Sequence, residues 1–198
     1  MGAAMMRPKS NSSQQEGFTI IEVMIAIAIL NIGILAVVAS IAAAISATQN
    51  SQENLIARQK ALEAMESIYT ARNTEQVTFP QIANVAAGGI FTGGATQMLC
   101  AGPDGLVNTT DDIDCPASGP CPAGPECVTL PGPDGILGTA DDTAMSLANF
   151  TRTIAISNVL NADGTTNETL KQIVVTVTYQ AHGGAHTYTV NGLISSYK

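Results

Sequence analysis

The sequence has few aromatic and few charged residues, and these shortages restrict what the protein can be. Of its 198 residues none is Trp, 4% are aromatic and 12% are charged, whereas 45% are hydrophobic. A charged fraction this low argues against a chain that is disordered or a coiled coil throughout. The length suits one folded domain, or one domain with an appendage.

Lysine and arginine are absent from residue 73 to residue 151. Over the whole chain, eight basic residues stand against sixteen acidic ones, which gives a net charge of −8. Nucleic-acid binding depends on basic side chains that neutralise phosphates, so we expect no nucleic-acid partner. The acidic residues of the stretch without basic residues include Asp104, Asp111, Asp112, Asp114, Glu126, Asp134, Asp141 and Asp142.

Catalytic motifs are absent too. The sequence contains no G-x-S-x-G, no phosphate-binding loop and no H-E-x-x-H. His182 and His186 flank a Gly-Gly turn, where a metal or acid-base role is one reading and solvent-exposed turn histidines are the commoner one. We therefore predict that the chain is not an enzyme.

What the chain does have is a long apolar run over residues 18–47. About 20 residues of helix cross a ~30 Å hydrocarbon layer, so this run is long enough to span a membrane. A buried core helix would show a polar stripe, and none occurs before Thr48. The polar leader with Arg7 and Lys9 precedes the run, so cleavage at its end would leave the apolar segment in the mature protein.

The residues at this junction are Gly17-Phe18-Thr19-Ile20-Ile21-Glu22-Val23, and they resemble the prepilin cleavage and methylation motif of type IV pilins and type II secretion pseudopilins. The resemblance implies cleavage after Gly17 by a prepilin peptidase, methylation of the new Phe18 amine, and retention of the helix as filament core. It also implies a single-pass protein of the bacterial inner membrane with a periplasmic head, which then joins other pilin or pseudopilin subunits in a filament. The leader departs from the family pattern because Gln15 and Glu16, and not basic residues, precede the cut.

Glu22 lies inside the apolar run, where a carboxylate costs about 2.5 to 3.5 kcal/mol at a helix centre and therefore suggests a function. The resemblance implies that it pairs with the Phe18 amine of a neighbouring subunit and so sets the register of assembly. The alternative is a carboxylate that rests among the lipid headgroups.

Beyond the apolar run, Leu55, Leu62, Met65 and Tyr69 recur at helical spacing, and neither Pro nor Gly interrupts the chain before Asn73. We therefore expect one helix from about Phe18 to Ala71. The stretches 30–35 and 58–66 are similar to PilV-type minor pilins and their secretion counterparts.

A loop-rich insert over residues 88–142 contains a repeated segment. Residues 102–112 and 132–142 match at seven of eleven positions, and each begins Gly-Pro-Asp-Gly and ends Asp-Asp. Oxygen ligands of this kind suit Ca²⁺, although two solvated turns are an equally open reading. The predicted calcium ligands are Asp104, Asp111, Asp112, Asp134, Asp141 and Asp142.

Four cysteines lie in the same insert: Cys100, Cys115, Cys121 and Cys127. Outside the cytoplasm, two disulfides are the leading prediction, and three pairings are open. The pairing of sequence neighbours is slightly favoured, because each bridge then closes one short loop. A zinc site is disfavoured, since no C-x-x-C pair is present.

Alternating patterns predict three strands, near residues 150–157, 173–179 and 186–194. Their apolar face needs a cover, which the amphipathic part of the helix supplies. The predicted fold is α+β and pilin-like, a long N-terminal helix packed on a C-terminal antiparallel sheet with a Cys/Gly/Asp-rich insert. The predicted segments are a leader over 1–17, a transmembrane half-helix over 18–47, an amphipathic half over 48–72, and a globular head over 73–198 with the insert at 88–142 and the sheet at 150–198.

The resemblance implies a minor pilin that is assembled into a type IV pilus or primes it. Two alternatives stay open: a minor pseudopilin of a type II secretion system, and a membrane-tethered adhesion or binding module.

Overall fold

The computed structural model describes residues 17–181 and 183–197. The chain divides into two compact units, Met1–Ile45 and Ser46–Lys198. Helix α1, Ile20–Asn73, contributes residues to both. The predicted helix of about Phe18 to Ala71 therefore differs from the observed one by two residues at each end.

In the first unit, α1 begins with a local cap. The N–H of Glu22 donates to the carbonyl oxygen of Thr19 at 3.1 Å and to its Oγ1 at 3.3 Å. This Thr-x-x-Glu order is that of a capping box, in which a hydroxyl satisfies an N–H that the first turn leaves without a partner. All side chains from Gly17 to Ile45 are exposed. By length and composition, α1 is the one helix of the described chain that could cross a membrane.

In the second unit, α1 buries one face against a sheet. Its buried residues recur at intervals of three and four, which places them on one face of the helix, and several of them are alanines. They are Ile56, Ala57, Lys60, Ala61, Ala64, Met65, Ile68 and Ala71. The facing core comes from alternate residues of the sheet, among them Phe150, Ile154, Ile173, Val175 and Val177.

The strands are β1 Thr96–Gln97, β2 Cys127–Leu130, β3 Thr143–Ser146, β4 Phe150–Leu160, β5 Thr166–Ala181 and β6 Gly184–Ser195. The main sheet is antiparallel and has the strand order β1-β4-β5-β6. A second, two-stranded antiparallel sheet pairs β2, in the insert, with β3, which directly follows the insert. A short 3-10 helix, Val85–Ala87, precedes β1.

The predicted α+β architecture is confirmed: a long N-terminal helix and a C-terminal antiparallel sheet. The predicted count of three strands was too low for the described residues. Strand β1 has two residues, and β2 and β3 have four each, so none is long enough to show a clear alternation in the sequence. They form because the insert brings them beside a partner strand.

Candidate functional site

The predicted cleavage junction is accessible. Gly17 has open space where a Cβ would lie, and the Phe18 side chain is 82% exposed. Both residues are exposed and precede the first turn of α1. Arg7, Lys9, Gln15 and Glu16 of the leader lie outside the described residues.

Glu22 occupies the first turn of α1, where a carboxylate interacts favourably with the helix dipole. Its side chain is exposed beside Phe18, Val23 and Ala26, on an apolar surface of the helix. The salt bridges of the described residues all involve Lys60 and none involves Glu22. The carboxylate therefore sits on an apolar surface with no cation of the described chain to balance it.

The first repeated segment, residues 102–112, folds into a tight acidic loop. The N–H of Gly105 donates to the carbonyl of Gly102 at 3.0 Å, and Gly105 has a φ of 69° that favours glycine. The carboxylate of Asp104 accepts from the N–H of Leu106 at 2.8 Å. Asp111 folds back so closely over Gly102 that a Cβ there would collide with its main chain and carboxylate. The glycines and aspartates of the motif are thus explained by the shape of the loop itself.

The second segment, residues 132–142, reproduces these contacts. The N–H of Gly135 donates to Gly132 at 3.0 Å with a φ of 71° at Gly135, and Asp134 accepts from Ile136 at 2.8 Å. Asp141 closes over Gly132 in the same way. The sequence repeat is therefore a structural repeat.

Hydroxyl groups partly satisfy the acids of both loops. Thr109 donates to Asp111 at 2.7 Å and Thr139 donates to Asp141 at 2.6 Å, and these bonds lower the pKa of each carboxyl. Burial raises the pKa of Asp104, and the nearby charge of Asp111 adds to the increase. Asp112 and Asp142 accept from main-chain N–H groups at 2.8 and 2.7 Å. In the described part of the chain, no three His, Cys, Asp or Glu side chains are arranged to hold a metal ion.

The two loops differ in their surroundings. In the first, Leu106 is 2% exposed and belongs to the core of the head. In the second, the equivalent Ile136 is 60% exposed and Leu137 is 61% exposed. The second loop lies at the tip of the β2–β3 hairpin. One loop is therefore part of the folded head, and the other projects from it.

Disulfide bonds join cysteines that are neighbours in the sequence. Cys100 is bonded to Cys115, which encloses the first loop, and Cys121 is bonded to Cys127 at the start of β2. The sequence separations are 15 and 6 residues. No described cysteine is free, so the chain has no thiolates for a zinc site.

A buried ion pair connects these loops to α1. Lys60 of α1 donates to Glu126, the residue before Cys127, and to Glu63 at 2.9 Å. Burial by itself lowers the pKa of Lys60, but the bonds and charges of Glu126 and Glu63 outweigh it and raise the pKa above its usual value. The main chain of Glu126 also bonds Met98 and Leu147 at 2.8 Å.

Arg152 of β4 is a second buried cation, and the sequence analysis did not identify its structural role. Its Nε donates to Asn108 of the first loop at 3.0 Å, and burial lowers the pKa of its guanidinium. Asn108 is buried and has a φ of 64°. The sequence did contain a signal for this role, since Arg152 occupies an inward position in the alternating pattern of its strand. A cation at such a position is buried and needs hydrogen-bond partners.

The comparisons with known proteins concern the N-terminal segment. The family model described as Prokaryotic N-terminal methylation motif matches residues 12–38. The chain carries a prepilin-type N-terminal motif. No curated protein and no solved structure matches the chain significantly.

The prepilin motif supports the type IV pilin and pseudopilin family, whose members are structural subunits and normally not enzymes. It implies processing by a prepilin peptidase and assembly with other pilin subunits. Together with the single apolar N-terminal helix of the described chain, it fits a pilin anchored in the inner membrane. The match ends at residue 38, so it leaves the head without a counterpart.

Of the two turn histidines considered in the sequence analysis, His186 lies within the described residues. His186 is exposed, and its ring stacks on Tyr179 with centroids 5.6 Å apart. His182 lies outside the described residues.

Proposed function

We propose that the chain is a minor pilin, a structural subunit that is assembled into a type IV pilus or primes its assembly. The observation that carries the proposal is the prepilin motif on an exposed apolar helix, with an exposed Gly17-Phe18 junction and Glu22 in the first turn. Stretches similar to PilV-type minor pilins within the helix support the choice of a minor subunit.

In this proposal the head is periplasmic before assembly and faces solvent on the filament. Two disulfides support an oxidising compartment. The apolar half of α1 is held by membrane lipid and then by the helices of other pilin subunits. The carboxylate of Glu22 pairs with the methylated Phe18 amine of a neighbour, because apolar surroundings strengthen a charge pair and penalise an unpaired charge.

A minor pseudopilin of a type II secretion system is the second candidate, since the same motif serves both systems. Deletion of the gene distinguishes the two. Loss of pili with normal protein secretion supports the minor pilin, whereas loss of secretion with normal pili supports the pseudopilin. Loss of surface attachment with a normal number of pili would instead favour a tethered adhesion module.

The first test is the mass of the N-terminal peptide of the protein purified from its native membrane. We expect a peptide that begins at Phe18 and carries one added methyl group. A chain that still begins near Met1 would leave Glu22 without an amine partner and contradict filament assembly. The tethered module would then be the better explanation.

A further inference from the structure

The second loop, residues 132–142, carries two neighbouring apolar side chains that its own head does not cover. Ile136 and Leu137 lie at the tip of the β2–β3 hairpin and are 60% and 61% exposed. The hydrogen bonds that shape this loop are made by main-chain groups, Thr139 and the aspartates, so its fold does not need apolar side chains at these positions. An exposed apolar surface with a polar border is typical of an interaction site.

The first loop, residues 102–112, shows what kind of surface this loop shape fits, because the head itself covers it. Leu106 and Val107 take the positions of Ile136 and Leu137 in the repeat. Leu106 belongs to the hydrophobic core, and Val107 packs against that core. The apolar pair of the first loop is therefore covered by the head, whereas the equivalent pair of the second loop is open.

The head also binds the first loop through Asn108. The N–H and the hydroxyl of Thr92 donate to the Asn108 carbonyl at 2.7 and 2.9 Å, and Nε of Arg152 donates to the Asn108 side chain at 3.0 Å. The carboxylate of Asp112 lies close enough to act on the charge of Arg152. The surface that holds the first loop thus combines an apolar core, hydrogen-bond donors and a cation. In the second loop Gly138 replaces Asn108, and within residues 17–181 and 183–197 no hydrogen bond reaches its carbonyl.

Carboxylates border the apolar pair of the second loop. They belong to Asp134, Asp141 and Asp142, and the salt bridges of the described residues all involve Lys60, so none of these acids is in one. Basic residues on a partner surface would attract this border, and acidic ones would be repelled. The same acids disfavour the surface of an anionic membrane.

We propose that the second loop is an interaction surface that inserts Ile136 and Leu137 into an apolar pocket of a different protein, bordered by Lys or Arg. The first loop is the template for this contact, since the head buries its apolar pair and places Arg152 beside its acids. The inference goes beyond the proposed function, because it concerns the head and not the assembly of α1.

A second copy of this chain does not offer such a pocket, because its own first loop already fills it. The Cys100–Cys115 bond encloses that loop, and Asn108 accepts the bond from Arg152. Gly138 has no side-chain oxygen, so the second loop of another copy would leave Arg152 without this bond. Two second loops do not fit each other either, since their carboxylates would repel.

The probe for the test is a photoreactive apolar side chain, introduced as Leu137→p-benzoylphenylalanine in the full chain in the cells that produce it. After illumination, the crosslinked peptides are identified by mass spectrometry. We expect an adduct with one protein other than this chain, at a segment that contains apolar residues together with Lys or Arg. Adducts are collected from all cell fractions, so the result does not depend on whether the chain enters a filament.

Ile136→Ser, made in the photoreactive chain, is the decisive variant. Its melting temperature should be unchanged because Ile136 is exposed, whereas the adduct yield should fall at least about fivefold with the lost apolar contact. Asp142→Asn removes a charge but keeps an oxygen for the N–H of Gly138, and it should lower the yield about twofold. Leu160→Ser is the matched control: Leu160 is 64% exposed at the end of β4, and the yield should stay the same.

Absence of a protein adduct overturns the proposal, as does a yield that Ile136→Ser and Asp142→Asn leave unchanged. An adduct between two copies of the chain, or with lipid, also overturns it, because the occupant would then be a second copy or the membrane. A crosslinked segment without Lys or Arg contradicts the basic border of the pocket.

Discussion

Lys60 is a charged residue on the buried face of α1, and it is the helix's ionic contact with the disulfide-bonded loops. Its ammonium forms salt bridges with Glu126, which is largely buried, and with Glu63, whose side chain is 52% exposed. Removal of the cation leaves Glu126 buried and without its counterion, which costs far more than the pair contributes. The exposed contact with Glu63 contributes little.

We therefore expect Lys60→Met to destabilise the head by about 3 kcal/mol. Glu63→Gln is the matched control, and its effect should stay below about 1 kcal/mol. Urea unfolding of the full chain in detergent measures both. Similar losses of unfolding free energy in the two variants would show that the contact between Lys60 and Glu126 does not dominate the contribution of Lys60 to stability.

The same residue predicts a pH dependence at the alkaline end. The pKa of Lys60 is raised in the folded chain above its ordinary value of 10.5. A raised pKa contributes stability that is complete below pH 10.5 and is lost as the pH rises through the higher folded value. The stability difference between wild type and Lys60→Met should therefore shrink above pH 10.5 and stay constant between pH 6 and 9.

At the level of elements, the two repeated loops are a natural pair for comparison. Each has a glycine that the following aspartate covers, Gly102 under Asp111 and Gly132 under Asp141. The first loop contributes Leu106 to the core, whereas the second exposes Ile136. A glycine-to-alanine substitution therefore causes the same local steric clash in both loops, but in different surroundings.

Gly102→Ala should lower the stability of the head by about 2 kcal/mol, because the displaced loop carries core residues with it. Gly132→Ala should change it by less than about 0.5 kcal/mol, since the projecting loop relaxes without disturbing the core. Scanning calorimetry of the full chain compares them. Equal losses would mean that the second loop is also coupled to the core.

Calcium binding by these loops stays a prediction, because the hydroxyl and N–H bonds of the aspartates account for the motif without a metal. A stabilising site raises the melting temperature as Ca²⁺ is added, by mass action. Millimolar Ca²⁺ should raise the melting temperature of wild type, and less so that of Asp141→Asn. No shift with wild type would favour the reading of two solvated turns.

The helix and the long strands were predictable because their patterns are local. Ile154, Ile173 and Val175 occupy alternate positions in runs rich in β-branched residues, and the stretch from Ala47 to Asn73 has no helix breaker. The side-chain contacts between segments that are distant in the sequence were not predictable. The contact of Lys60 with Glu126 spans 66 residues, and that of Arg152 with Asn108 spans 44. Only the folded chain brings such partners together, so periodicity cannot reveal them.

On the scale of the whole molecule, apolar and charged residues are segregated. The segment from Phe18 to Ala47 has one carboxylate and no basic residue, whereas the rest of the chain carries nearly all of the acidic excess. An exposed apolar helix needs lipid or other helices around it. Glu22 is the exception within the apolar segment, and the proposed function accounts for its charge by pairing during assembly.

Glu22→Gln provides the test of that account, and Glu66→Gln, an exposed position on the same helix, is its control. In the proposed assembly, removal of the carboxylate leaves the Phe18 amine of a neighbour without its counterion in apolar surroundings, at a desolvation cost of several kcal/mol. We expect Glu22→Gln to be cleaved after Gly17 normally but to be absent from sheared filaments, while Glu66→Gln enters them as wild type does. Immunoblots of filament and membrane fractions, with the N-terminal mass of each variant, measure both steps. Normal amounts of Glu22→Gln in filaments would instead place the carboxylate among the lipid headgroups, with no part in the register of assembly.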